Sequence, residues 1–136
     1  MKTKNFITSI IVMLTLSLHA QNIVAPAAGP HGGTVKNAGG YNIEMHYSYP
    51  DIFAYLLTKD LKSISNKGIL CNVKFILPDN TSVETDLKPF GDDGFTTNSC
   101  PLLFNATKIN FNLSGKYISA KFENDNPIVE KAPTRR

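Results

Sequence analysis

The residues best suited to chemistry in this chain are those of the run Pro30-His31-Gly32-Gly33-Thr34-Val35. An imidazole followed by two residues without Cβ is a sterically open nitrogen ligand, which a metal ion or a partner backbone can approach closely. Imidazole suits copper, zinc or nickel. The plainer alternative is that Gly32 and Gly33 only let the chain bend into a first strand, with His31 left in water. Further along, Glu44 and His46 lie two residues apart in an alternating stretch and so share one strand face, with Met45 turned to the other as core filler. If the first two strands pair, His31, Glu44 and His46 make a nitrogen and oxygen set for Cu(II) or Zn(II), whereas Cu(I) would ask for the sulfur of Met45 or Cys100.

Other candidates read more simply. Cys71 and Cys100 lack the close C-x-x-C spacing of a metal or redox motif. In an exported domain they fit either one disulfide, stabilising by about 3–4 kcal/mol on the chain-entropy model, or two unpaired thiols. A thiolate copper site is the competing reading. Asp92-Asp93-Gly94-Phe95 lacks the alternating ligands and distal glutamate of a calcium loop, so a turn is expected there. There is no Gly-x-Ser-x-Gly, no His-Glu-x-x-His and no phosphate loop. The expectation is a protein that is not an enzyme.

These residues need a compartment and a scaffold. Residues 1–20 have the three parts of a signal peptide: Lys2 and Lys4, an apolar run over residues 6–18, and Leu18-His19-Ala20 as a cleavage site. The run is shorter than the roughly 20 residues that span a bilayer as a helix, so no stable membrane insertion is expected once the leader is removed. His19 leaves with the leader. A periplasmic or secreted location follows. The formal charge of +3 comes from 14 basic and 11 acidic residues. Two of the basic residues, Lys2 and Lys4, go with the leader, which leaves 12 against 11 and a net charge of +1. Scattered cations of that number do not make a nucleic-acid surface. Residues 21–29 read as a Pro/Ala-rich linker, 30–123 as one domain and 124–136 as a polar, disordered tail.

Between residues 30 and 123 turn chemistry recurs every 8 to 12 residues or so, the rhythm of an all-β domain. The turns fall at Ala38-Gly39-Gly40, Tyr49-Pro50-Asp51, Asn66-Lys67-Gly68, Pro78-Asp79-Asn80, the run 91–94 and Ser114-Gly115-Lys116. The segments between them alternate. Tyr41, Ile43, Met45 and Tyr47 share one face, and Ile69, Cys71, Val73, Phe75 and Leu77 make the longest inward-facing run. Ile109, Phe111 and Leu113, then Ile118, Ala120 and Phe122, repeat the pattern, while residues 53–57 are apolar on both faces and fit a central strand. About seven strands with one apolar face each must bury those faces against one another. The expected fold is a small Ig-like β-sandwich, or a small barrel, and a monomer is expected.

One resemblance adds to this reading. Pro30-His31-Gly32-Gly33-x-Val35, Gly39 or Gly40, Ile43-Glu44, Tyr55-Leu56-Leu57, Leu87-x-Pro89-x-Gly91-x-Asp93-Gly94-Phe95 and Ile118-Ser119-Ala120-Lys121-Phe122 together resemble small exported domains of Bacteroidetes-type bacteria. These are similar to accessory domains on adaptor subunits of heavy-metal and copper efflux pumps. The resemblance implies a periplasmic accessory role beside an efflux-system protein, with His31 as a copper or zinc contact and Glu44 as a weaker second. The chain departs from the adaptors in having no long helical hairpin, no lipoyl-like unit and no membrane-proximal barrel, so an adaptor subunit is not expected. Two functions follow as expectations: a module that binds or presents a transition-metal ion, or a protein-interaction module that binds no metal.

Overall fold

A computed structural model describes residues 28–125 of the chain. The leader, most of the linker and the tail beyond residue 125 lie outside the described residues. Within them the chain forms eight antiparallel strands: β1 (Thr34–Ala38), β2 (Tyr41–Ser48), β3 (Asp51–Leu57), β4 (Ile69–Ile76), β5 (Ser82–Phe90), β6 (Gly94–Thr97), β7 (Ala106–Leu113) and β8 (Lys116–Glu123). The all-β class is as the alternation predicts. No described helix is long and apolar enough to cross a membrane.

The strands make one continuous sheet in the order β1-β2-β3-β6-β5-β4-β7-β8. It becomes two layers because β5 changes partners along its length. Its first part, from Ser82 to Leu87, pairs with β4, and its last part, from Lys88 to Phe90, pairs with β6. The sheet therefore rolls at β5, and its two ends meet where the Lys36 ammonium reaches the Lys121 carbonyl and lies over the Phe122 ring. The rolled sheet buries Ile43, Ile52, Ala54 and Leu56 of one layer against Val73, Phe75, Ile109, Phe111, Ile118 and Phe122 of the other. Burial of these apolar faces is the driving term of the fold.

The turns follow the local chemistry. Gly39 and Gly40 both take positive φ, 55° and 85°, between β1 and β2. Ser114 and Gly115 do the same, at 51° and 95°, between β7 and β8. Two-residue connections with positive φ at both positions match the twist of antiparallel strands. The strand that alternation misses is β6, only four residues long and too short to show a period. The structured region is also slightly wider than the pattern suggests. Ala28 pairs with Thr34 across the first turn, and the Asn124 side chain donates to the Phe104 carbonyl.

Cys71 and Cys100 are both free thiols and both buried. Cys71 faces the core from β4, as its place in the inward run predicts. Burial pushes the Cys71 thiol well up, and pushes Cys100 up to about 11. A thiol held protonated at neutral pH is a poor nucleophile and a poor metal ligand. Both cysteines should thus react with a disulfide probe such as DTNB only after unfolding, and two thiols should be released without prior reduction. Rapid labelling of the native protein, or no free thiol after unfolding, would contradict this arrangement.

Candidate functional site

The site is built on the outer surface of the first layer, where four elements converge. Register places Glu44 of β2 opposite Tyr55 of β3, and Tyr55 opposite Gly94 of β6. Gly94 is needed at that point, since a Cβ there would lie 2.8 Å from the Tyr55 ring and 2.9 Å from the Phe90 carbonyl oxygen. The missing side chain leaves room for the Tyr55 ring to lie across β6. His31 then stacks on that ring, with centroids 3.6 Å apart and planes within 6°.

The segment that carries His31 folds back on itself before entering β1. The Gly32 N–H donates to the Gly29 carbonyl and the Gly29 N–H to the Gly33 carbonyl, each at 2.9 Å. Gly32 takes a φ of 78° at the apex of this bend. The turn closes over Glu44. Its carboxylate accepts the backbone N–H of His31 at 3.0 Å, that of Gly33 at 2.9 Å and the His31 Nδ1 at 2.7 Å. The Glu44 side chain is 0% exposed. A buried carboxylate is tolerable when several donors replace its lost water, and this one has them.

The glycines thus allow a close approach, and the group that approaches is the protein's own strand. A Cβ on Gly29 would sit 2.3 Å from the Glu44 carboxylate, and one on Gly33 would sit 2.6 Å from the Met45 carbonyl oxygen. Neither position admits a larger residue without moving the turn off β2.

The other ring nitrogen is also engaged. His31 Nε2 lies 2.8 Å from Asp93 Oδ2. Asp93 stands in the turn between β5 and β6, which the buried Asn66 fixes from below by donating its amide to the Gly91 and Gly94 carbonyls. The ring therefore bridges two carboxylates on opposite sides, and that arrangement favours the doubly protonated cation. Burial alone would lower the His31 pKa, but the bonds to Glu44 and Asp93 outweigh it and raise the value above 6.5. Burial works against the Asp93 carboxylate in the same way, and the Ser63 hydroxyl and His31 together bring it below 3.8. Tyr55 is pushed up by burial and by the neighbouring Asp93 and Glu44 carboxylates.

Of the three residues that the sequence nominates as ligands, the structure unites two. Glu44 and His46 do share the outer face of β2, but the turn covers Glu44 while His46 remains exposed. His46 instead stacks near Phe53 at 6.2 Å. Asp93 is the partner that sequence reasoning misses, because a turn aspartate 62 residues from His31 carries no local signal of the contact. Among the described residues no group of three His, Cys, Asp or Glu side chains is placed to hold a metal ion. Both His31 nitrogens and the Glu44 oxygens are already hydrogen-bonded, so a copper or zinc ion at this ring would have to displace one of those contacts.

Comparison with protein-family models, with curated proteins and with solved structures finds no match.

Two outcomes follow for the cluster. Glu44→Ala leaves the turn's N–H groups and a cationic ring without their acceptor, and should cost about 3–5 kcal/mol in a denaturant titration. A loss within experimental error would show that the turn does not depend on Glu44. The pH dependence has a definite sign. Because the His31 pKa is raised on folding, its stabilisation is complete below 6.5 and fades as pH rises through the raised value. Because the Asp93 pKa is lowered, its stabilisation holds above 3.8 and fades as pH falls through the depressed value. Their joint contribution is thus greatest between 3.8 and 6.5. The advantage of wild type over Asp93→Asn should shrink on either side of that window; an advantage that grows towards alkaline pH would contradict the assignment.

Proposed function

We propose that this domain is a non-catalytic accessory module of an exported protein, which docks a protein partner through the open half of its first layer. The observation that carries the reading is a row of aromatic side chains beside the pinned turn, exposed at its two ends. The segment from Ala28 to Gly33 covers Glu44 and Tyr55 on that face. Next to them His46 and Phe90 are exposed and Phe53 lies half-buried between them, 6.2 Å from His46 and 5.3 Å from Phe90. Phe90 is 50% exposed at the end of β5. Clustered aromatic rings on an otherwise polar sheet are the side chains that anchor protein interfaces. The resemblance to accessory domains of efflux adaptors makes an efflux-system protein the first partner to test.

A second reading keeps a copper or zinc ion at His31, and one observation favours it. The buried Glu44 carboxylate holds Nδ1, which aims Nε2 outwards at Asp93; a carboxylate behind a histidine is the usual support of a metal-ligating ring. In that reading the ion would replace the proton between Nε2 and Asp93, with only these side chains as ligands.

The two readings separate in one set of variants. Docking predicts that Phe90→Ser and Phe53→Ser weaken capture of an efflux adaptor subunit by about tenfold or more, while His31→Ala acts only through stability. It also predicts that Cu(II) and Zn(II) bind no tighter than about 0.1 mM in calorimetry. Sub-micromolar metal binding lost in His31→Ala would establish the second reading instead. Adaptor capture unchanged by the phenylalanine variants would overturn the first.

A further inference from the structure

The second layer presents a different outer face, and its side chains are arranged in register across four strands. Along one row Leu70 of β4, Asn112 of β7 and Tyr117 of β8 stand opposite one another. The next row is Asp86, Asn72, Asn110 and Ser119, and the third is Glu84, Lys74, Lys108 and Lys121. A shallow cleft of about 220 Å3 runs between Leu70, Asn72, Asp86, Asn110 and Tyr117.

Two features of this face are hard to account for as a merely solvated surface. Tyr117 and Leu70 are 73% and 69% exposed, so the cleft has an aromatic wall and an aliphatic wall with nothing packed on them. Lys108 is flanked on both sides, in register, by lysines. Like charges directly opposite one another in an antiparallel sheet are destabilising. Glu123 pairs with Lys121 at 3.3 Å, and acidic residues stand at the β5 margin, but among the described residues Lys74 and Lys108 make no ion pair.

Between the wall and the lysines the polar row is pre-set. Ser119 donates to Asn110 Oδ1 at 2.6 Å, and Asn110 donates in turn to Asn72 Oδ1 at 2.8 Å. This hydrogen-bonded chain fixes the orientation of both amides and leaves the Asn72 amide N–H groups without a partner among the described residues, in a cleft that the acceptor Asp86 also lines from the neighbouring strand. An adjacent donor and acceptor match the vicinal hydroxyl groups of a sugar ring, and the face of a tyrosine suits its C–H surface. Rows along a strand are about 7 Å apart, so Lys74 and Lys108 stand one such step beyond Asn72 and Asn110. An oligosaccharide lying along the cleft can therefore stack one unit on Tyr117, bond another at Asn72 and Asp86, and bring a carboxylate within reach of the flexible Lys108 or Lys74 side chain.

We propose that the outer face of β4, β7 and β8 binds an acidic polysaccharide, one built from uronic acid units, with Tyr117 as platform, Asn72, Asn110 and Asp86 as hydroxyl partners and Lys108 and Lys74 as carboxylate partners. This site is separate from the docking face of the first layer and does not rest on it.

The test is calorimetric titration of the purified protein with short alginate oligosaccharides, alongside neutral dextran oligosaccharides and oligoaspartate. The expected result is saturable binding to alginate only, weakened about tenfold or more in both Tyr117→Ala and Lys108→Gln. Both side chains are exposed, and the melting temperature of each variant checks that the fold is retained. Absence of alginate binding, equal binding of oligoaspartate or dextran, or binding indifferent to Tyr117 would overturn the proposal.

Discussion

A carboxylate with no exposed surface has to be satisfied entirely from within, and Glu44 is that carboxylate here. Its position is forced by the alternation of β2, which turns Ile43 and Met45 inward and Glu44 outward. What makes it buried is the turn before β1, and the turn exists in that form because Gly29 and Gly33 allow its backbone to lie against the strand. The N–H groups of the turn and the His31 ring then become the carboxylate's solvent. Each part depends on the others: the turn needs the acceptor, and the acceptor needs the turn.

The same constraint organises the surface. His31 reaches from Glu44 across Tyr55 to Asp93, tying the start of the domain to the β5–β6 turn. One half of the outer face of the first layer is consumed in this way, and the aromatic side chains of the other half are left for a partner. A histidine committed on both nitrogens acts as a charged bridge. Its raised pKa is the thermodynamic expression of the same two contacts.

Much of the scaffold was legible in the sequence, because period-two alternation and Gly/Asn turn residues are local signals. The inward run from Ile69 to Leu77 and the hairpins at Gly39-Gly40 and Ser114-Gly115 all fall where the pattern puts them. Residues 53–57, apolar on both faces, lie on an interior strand as expected: Tyr55 is stacked under the His31 ring, and Leu57 is buried although it faces away from the core between the layers. β6 escaped because four residues cannot show a period. The site was only half legible. His31 and Glu44 stand out by type and lie near each other once β1 pairs with β2. Their mutual bonding, and the burial of Glu44, depend on how a glycine turn folds over a strand, which spacing does not encode. Asp93 is brought in by the pairing of β6 with β3, which sets Gly94 opposite Tyr55, and its turn is indistinguishable in sequence from any other acidic turn.

The central claim is that His31 is a cation held between two carboxylates, and nitrogen-resolved NMR of its ring tests this most directly. The account predicts a titration midpoint above 6.5, with both ring N–H protons observable at pH 6.5 and the midpoint shifted down in Asp93→Asn. A ring that titrates at or below 6.5, exchanges its protons freely with water and ignores the loss of Asp93 would contradict it.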